Sequence, residues 1–270
     1  MRLPQAGTEN QTNTQTAPMS RPGKTVVVMP AYNAARTLEK TYYHIPPSSY
    51  DEIILVDDAS SDGTWAIANK LPITAVRHRK NRGYGGNQKT CYTTALQRGA
   101  DFVVMLHPDY QYDPTIVGDL VAPLRAGEAD VVLASRLLGD PLAGGMPRWK
   151  YVSNRFLTIL ENAAFGLHLS EYHTGLRAYS KALLETIPYQ HNSDDFVFDQ
   201  ELISQVVAAG LVGRIGEIAV PTRYFDEASS VGFRRSVVYG LSTLRVVVRY
   251  LLHRLRVRPS RKLFPRRPGS

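Results

Sequence analysis

Apolar positions along the chain alternate between two spacings. "TVVVMP" (25–30), "EIILVDD" (52–58), "ITAVRH" (73–78), "DFVVMLH" (101–107) and "ADVVLAS" (129–135) are short runs rich in β-branched residues, the length and composition of buried strands. Between them Ala34, Ala35, Leu38 and Tyr42 share one helical face, as do Trp65, Ile67, Ala68 and Leu71. "ASSDGT" (59–64) supplies turn residues, with Asp62 as a helix cap, and further helices are predicted over 88–98 and 114–126. Strands alternating with helices imply right-handed crossovers and a mostly parallel sheet covered on both faces. Beyond about residue 145 the rhythm changes: helices are predicted near 150–166, 180–187 and 195–209, followed by "EIAVPTRY" (217–224) as a late strand. No linker or repeat interrupts this stretch, so residues 24–227 read as one α/β domain.

The two ends read differently. Residues 1–23 are rich in Thr, Asn, Gln and Pro and are expected to form a disordered arm; they hold no apolar run of signal-peptide length. Residues 228–270 form a basic segment. Within it, positions 241–258 place Leu241, Leu244, Val247, Val248, Leu251, Leu252 and Leu255 on one helical face, with Arg245, Arg249 and Arg256 along a flank.

Charge sharpens that division. The chain carries a net charge of +8, while residues 228–270 contain eleven Arg or Lys and no acid, leaving −3 on the rest. An apolar helical face with a cationic edge suits the surface of an anionic bilayer, or packing on the domain with its polar side in water. The basic residues are not interleaved with stacking aromatics and the body is mildly acidic, which disfavours nucleic acid as a partner. No uncharged apolar run reaches eighteen residues, and the single cysteine, Cys91, allows no intramolecular disulfide. The expectation is a cytoplasmic protein held peripherally at the inner face of a membrane.

Chemistry-bearing residues collect at strand ends, where ligands sit in parallel sheets. Asp57 and Asp58 close one strand, "HPDYQ" another, and Ser135 and Arg136 a third. If the backbone stays extended past Leu106, His107, Asp109 and Gln111 share a face. One carboxylate and one amide oxygen make an under-filled cage for a hard cation, so Mg²⁺ or Mn²⁺ at Asp109 and Gln111 would take its other ligands from water and a diphosphate. Equally, Asp109 starts a turn ahead of Pro114. Adjacent Asp57 and Asp58 repel unless each has its own donor, such as a base imide or ribose hydroxyls. Arg136 carries a fork suited to a diphosphate or an acceptor phosphate.

"VVVMPAYNAARTLEK", "ILVDDASSDGT", "NRGYGGNQ", "MLHPDYQYDP", "ASRLLG" and "TGLRAYS", in that order and spacing, resemble a family 2 glycosyltransferase with the GT-A fold, closest to the polyprenyl- and dolichyl-phosphate sugar synthases. The resemblance covers roughly residues 24–225. It implies that Pro30, Ala31, Tyr32 and Asn33 line the nucleotide, with Tyr32 against the base. Asp57 and Asp58 would bind base and ribose, and Asp109 and Gln111 the metal. His107 departs from the family's acid at that position; it either ligates the cation or only hydrogen-bonds Asp109 or the ribose. Gly144, Gly145, Arg148 and Trp149 resemble the acceptor loop with the Trp and Arg order altered, and Thr174, Gly175 and Arg177 match a further site segment, although Arg177 equally suits a structural ion pair. The implied reaction is inverting transfer of a sugar from UDP or GDP to a polyprenyl-phosphate lipid acceptor. A hydroxyl acceptor is the alternative, and it would need a base from Asp194, Asp195, Asp199 or Glu201, with Asp199 first. A non-catalytic basic-tail binder is the remaining alternative. "NRGYGGNQ" itself reads as a flexible turn near the nucleotide.

Overall fold

The computed structural model describes residues 23–221, 233–260 and 262–263. The arm 1–22, the end of the late strand segment (222–224) and most of the acid-free extension (261 and 264–270) lie outside the described residues. Elements run β1 (Thr25–Ala31), α1 (Leu38–His44), β2 (Glu52–Asp57), α2 (Thr64–Ala68), β3 (Thr74–Arg77), α3 (Tyr84–Gln97), β4 (Phe102–Met105), α4 (Val117–Arg125) and β5 (Val131–Ser135). They continue through α5 (Arg148–Phe165), β6 (Arg177–Ser180), α6 (Lys181–Thr186), α7 (Phe198–Ala208), β7 (Ile215–Ala219) and α8 (Phe233–Arg254).

Seven strands form one sheet in the order β3-β2-β1-β4-β6-β5-β7. All neighbours are parallel except β6, which runs antiparallel to both β4 and β5. Alternate residues of the central strands feed two cores, as the pleat requires. Val26, Val28, Ile54 and Val103 pack with α3 and α7 on one side; Val27, Met29, Leu55 and Val104 pack with α1 and α4 on the other.

Sheet order locates a crevice. From β1 the chain winds outward through β2 and β3, then returns to add β4 on the other side of β1, and ligands sit where the winding reverses. Pairing of β1 with β4 stops at Val28 and Met105, and Leu106 N donates to Val28 O at 3.0 Å. Pro30, which has no N–H, lies one step further on that side of β1, where the ladder has already opened. Three of the four described non-glycine residues with left-handed backbone follow the strands around this opening: Asn33 (φ 52°), Ala59 (φ 59°) and Tyr110 (φ 59°). Such conformations cost about 1–3 kcal/mol each and gather at ligand sites.

Two predicted boundaries change. "NRGYGGNQ" is not a flexible turn, because α3 already begins at Tyr84. Gly85 makes this possible: a Cβ there would lie 2.2 Å from the Ser193 carbonyl oxygen, while its N–H donates to Asp194 O at 2.8 Å. Gly85→Ala is expected to cost about 1–3 kcal/mol by overpacking. Gly213→Ala, which meets nothing within 4 Å, is expected to stay within about 0.5 kcal/mol. Urea unfolding of the two variants checks both. The segment "RAYS" is a strand rather than only a motif, and four residues flanked by a helix carry too little alternation to announce it.

The C-terminal helix begins at Phe233, and it packs on α5 and α7. Its predicted single apolar face divides. Val246, Val247 and Tyr250 are buried, with Tyr250 edge-on to Phe165 at 5.0 Å, whereas Leu241, Val248 and Leu255 are exposed. Arg249 does not serve a cationic flank; it pairs with Glu201 at 2.7 Å. Among the described residues no helix is long and apolar enough to cross a membrane.

Candidate active site

His107 and Asp109 follow β4 at the mouth of the crevice, but not as an extended strand. β4 ends at Met105, Tyr110 turns left-handed, and Asp109 Oδ1 accepts from Gln111 N at 3.1 Å. The shared-face geometry expected of His107, Asp109 and Gln111 is therefore replaced by an Asx turn, which Pro108 and Asp109 favour over continued pairing. The turn is pinned from α1's approach, where the Thr37 hydroxyl donates to Pro108 O at 2.5 Å.

Burial raises the Asp109 carboxyl's pKa, against the opposing pull of His107, the Gln111 N–H and Arg136. Burial likewise lowers the imidazole of His107, partly offset by Asp109 and Asp199. A carboxylate short of compensating charge beside a neutral imidazole and a carboxamide fits a divalent cation. Among the described residues no three His, Cys, Asp or Glu side chains converge on one point. A cation held here would take further oxygens from a nucleotide and water, as Mg²⁺ and Mn²⁺ commonly do.

Across the opening, Tyr32 is 55% exposed and Asn33 also projects to solvent, while Pro30 and Ala31 are buried and contribute backbone. Asn33 is anchored through its N–H to Ser60 Oγ and by Ser61 N donating to its Oδ1, both 2.9 Å. The two aspartates at the end of β2 are both engaged within the protein. Asp57 is wholly buried: its Oδ1 accepts from Ser60 N at 3.2 Å, and its Oδ2 lies 3.0 Å from Arg77 Nε as an ion pair without a hydrogen bond. Asp58 accepts from Arg82 N (2.8 Å) and Gly83 N (3.0 Å) and meets His78 Nδ1 at 2.6 Å, fixing the entrance to α3. A shallow depression lined by Ala59, Arg77, His78 and Arg79 opens beside them.

Sequence reasoning missed the supports behind this surface. Arg136 is held by Glu171, whose Oε2 accepts Arg136 N at 2.7 Å and whose Oε1 accepts Arg136 Nε at 2.9 Å; Arg136 Nη2 also donates to His173 O at 2.7 Å. Burial would raise the Glu171 pKa, but Arg136 and Asn154 hold it below the usual carboxylate range. Thr174 and Arg177 support the floor from inside rather than line it. The Thr174 hydroxyl donates to Ala134 O at 2.5 Å, and fully buried Arg177 donates to Thr174 O and Tyr172 O, both 2.8 Å, 3.9 Å from Asp199.

Tyr84, passed over among its glycines, stacks on His107 with ring centroids 5.4 Å apart and joins it to Asp199. Of the other acids considered as bases, Asp194 pairs with Lys89, and Glu201 with Arg249 and Lys262. Arg148 and Trp149, both exposed, begin α5 after Gly144 and Gly145, with Met146 and Pro147 between.

A switch-point crevice edged by strained turns and a half-buried carboxylate, in a mostly parallel sheet with one reversed strand, is the architecture of the GT-A class of α/β fold. The crystal structure of glucosyl-3-phosphoglycerate synthase from Mycobacterium tuberculosis with UDP shares this fold, with a TM-score of 0.66 at 22% identity over 86% of this chain and 80% of that one. Residues 26–187 match the model of glycosyl transferase family 2, and the chain belongs to that family. It is a glycosyltransferase. It is similar to the UDP-N-acetylglucosamine–dolichyl-phosphate N-acetylglucosaminyltransferase of Methanococcus voltae, 26% identical over 223 residues, 76% of this chain and 88% of the relative. It is also similar to the polyprenol monophosphomannose synthase of Mycolicibacterium smegmatis, 27% identical over 61% of this chain and 64% of the relative.

Proposed function

We propose that this glycosyltransferase moves a sugar, with inversion, from a UDP- or GDP-sugar to a polyprenyl-phosphate-type lipid at a membrane surface. The observation that carries the reading is the half-buried Asp109 carboxylate, its pKa raised by desolvation, in its turn at the β1/β4 opening, in a chain whose relatives include two lipid-phosphate sugar transferases. Solved neighbours of the same fold hold Mn²⁺ with UDP or UDP-glucose. A divalent cation at Asp109 and Gln111 supplies positive charge where the departing nucleotide becomes more negative. Tyr32, Asn33 and the depression beside Asp57 and Asp58 bind and orient the nucleoside. Arg136, fixed in direction by Glu171, is a cation whose charge acts on Asp109, and it is assigned to the diphosphate or the acceptor phosphate.

A phosphate acceptor is an anion already and needs no base. This matches Asp199, which is 5% exposed and accepts from Tyr84 at 2.7 Å, so no side is presented to an incoming hydroxyl. The test is transfer of labelled sugar from a panel of UDP- and GDP-sugars to polyprenyl phosphate with Mn²⁺ or Mg²⁺. Product only with free sterols, diacylglycerol or glycans would replace the phosphate acceptor by a hydroxyl one.

Membrane attachment, at the cytoplasmic face, forms part of the proposal. On α5, Val152 (64% exposed), Phe156 (58%) and Ile159 (61%) face outward, and on α8 so does Leu241 (63%). The one acid on these two helices, Glu161, is fully buried. An apolar surface of two packed helices with Arg148, Arg155 and Arg245 exposed beside it matches an anionic bilayer. Phe156→Asp with Leu241→Asp is expected to weaken flotation on phosphatidylglycerol vesicles by on the order of tenfold or more, given about 1.5–3 kcal/mol per large apolar side chain buried. Unchanged flotation would refute this face.

A further inference from the structure

Tyr84 settles which nitrogen of His107 carries its proton. The phenol has one hydrogen, and it is donated to Asp199 Oδ2 at 2.7 Å. The Tyr84 hydroxyl oxygen itself lies 3.2 Å from His107 Nε2. With its hydrogen directed at the carboxylate, that oxygen meets Nε2 with a lone pair, so Nε2 is the donor and Nδ1 keeps a bare lone pair. The arrangement is held from three sides. Phe196 packs against Tyr84 at 4.8 Å, Arg177 faces Asp199 at 3.9 Å, and Gly175 lies so close that a Cβ there would come within 2.9 Å of His107 Cδ2 and 3.2 Å of Nε2. Nδ1 is the ring atom opposite the Cδ2–Nε2 bond, across the ring from the edge that meets Gly175.

We propose that His107 is a metal ligand of the donor site, binding the cation through Nδ1 beside Asp109, with Tyr84 and Asp199 as positioning residues that fix its tautomer. The inference rests on the donor-site reading above. A histidine that ligates through one nitrogen characteristically donates its other N–H to a hydrogen-bonded partner that sets the ring's orientation, and the chain Asp199, Tyr84, His107 supplies this through a phenol. An imidazole in place of a carboxylate removes one negative charge and adds a softer donor. The site is therefore tuned towards Mn²⁺ or Co²⁺ over Mg²⁺.

The experiment uses the full chain with Mn²⁺ and UDP, and in parallel Mn²⁺ and GDP. Electron spin-echo envelope modulation of bound Mn²⁺ is expected to show coupling to a directly ligated ¹⁴N that disappears in His107→Ala. Tyr84→Phe keeps the ring stack and loses only the hydroxyl; it is expected to weaken Mn²⁺ binding about tenfold or more. His107→Asp is expected to lower the ratio of Mn²⁺ to Mg²⁺ affinity, a change that a purely structural histidine would not produce. Thermal melting confirms that each variant is folded. Bound Mn²⁺ without nitrogen coupling, or coupling that survives in His107→Ala, overturns the ligand assignment and leaves the donor site standing. Absence of Mn²⁺ binding with either nucleotide overturns both.

Discussion

Asp109→Asn is expected to lower kcat by at least about 10²–10³-fold, the size of effect seen when one preorganised charge-stabilising group is lost. The same variant is expected to be no less stable than the parent without ligands. Burial raises the Asp109 pKa, so the folded state holds this proton more tightly than the unfolded chain does. The group's contribution to stability is therefore most favourable below the unfolded carboxylate pKa and is lost as pH rises through the higher folded value. At neutral pH the ionised carboxylate is a cost that asparagine does not carry, and the difference shrinks as pH falls towards the unfolded value. Ligand reverses the ranking. Mn²⁺ with UDP or GDP at a hundred times its dissociation constant stabilises the parent by about 2.7 kcal/mol, and Asp109→Asn should show almost none of this. Thermal melts with and without the nucleotide, at pH 7 and near pH 5, read both signs; an apoprotein much weakened by the substitution would show that the carboxylate is structural.

What the chain's pattern made legible was periodicity-bearing. β1 to β5 and the helices between them are long or branched enough to announce themselves, and Asp57, Asp58 and Asp109 could be placed at strand ends because turn residues follow apolar runs. What stayed hidden depends on contacts distant in sequence. β6 reverses direction because Arg177–Ser180 slots between β4 and β5, a pairing that no local spacing encodes. Tyr84 looked like a loop aromatic because its partners, His107 and Asp199, lie 23 and 115 residues away. Arg136 was expected to reach towards phosphate, and its grip by Glu171, 35 residues on, could not be read from "ASRLLG". The amphipathic pattern of the last helix was visible, yet its division into a packed side and an outward side is set by α5 and α7, which the pattern of α8 alone does not contain.

Arg177 carries the largest expected effect on folding. Its guanidinium is fully buried, donates to the carbonyls of Thr174 and Tyr172, and faces Asp199. Arg177→Leu would leave two carbonyls without these donors and a carboxylate buried without its counter-charge. Removing one partner of a buried pair costs about 3–5 kcal/mol, which for a chain of this size lowers Tm on the order of 10 °C. Pairing the change with Asp199→Asn removes the stranded charge and is expected to recover a measurable part of that loss, so the double-mutant cycle should be clearly non-additive. Urea denaturation of the four proteins measures the coupling. Because Asp199 also receives the Tyr84 hydroxyl, the two single variants should disturb the site as well as the fold, whereas additivity would mean that Arg177 and Asp199 do not act on each other across 3.9 Å. The buried cation then supports the proposed reaction indirectly: it holds in place the carboxylate that holds Tyr84, one packed layer behind the crevice proposed to take the nucleotide.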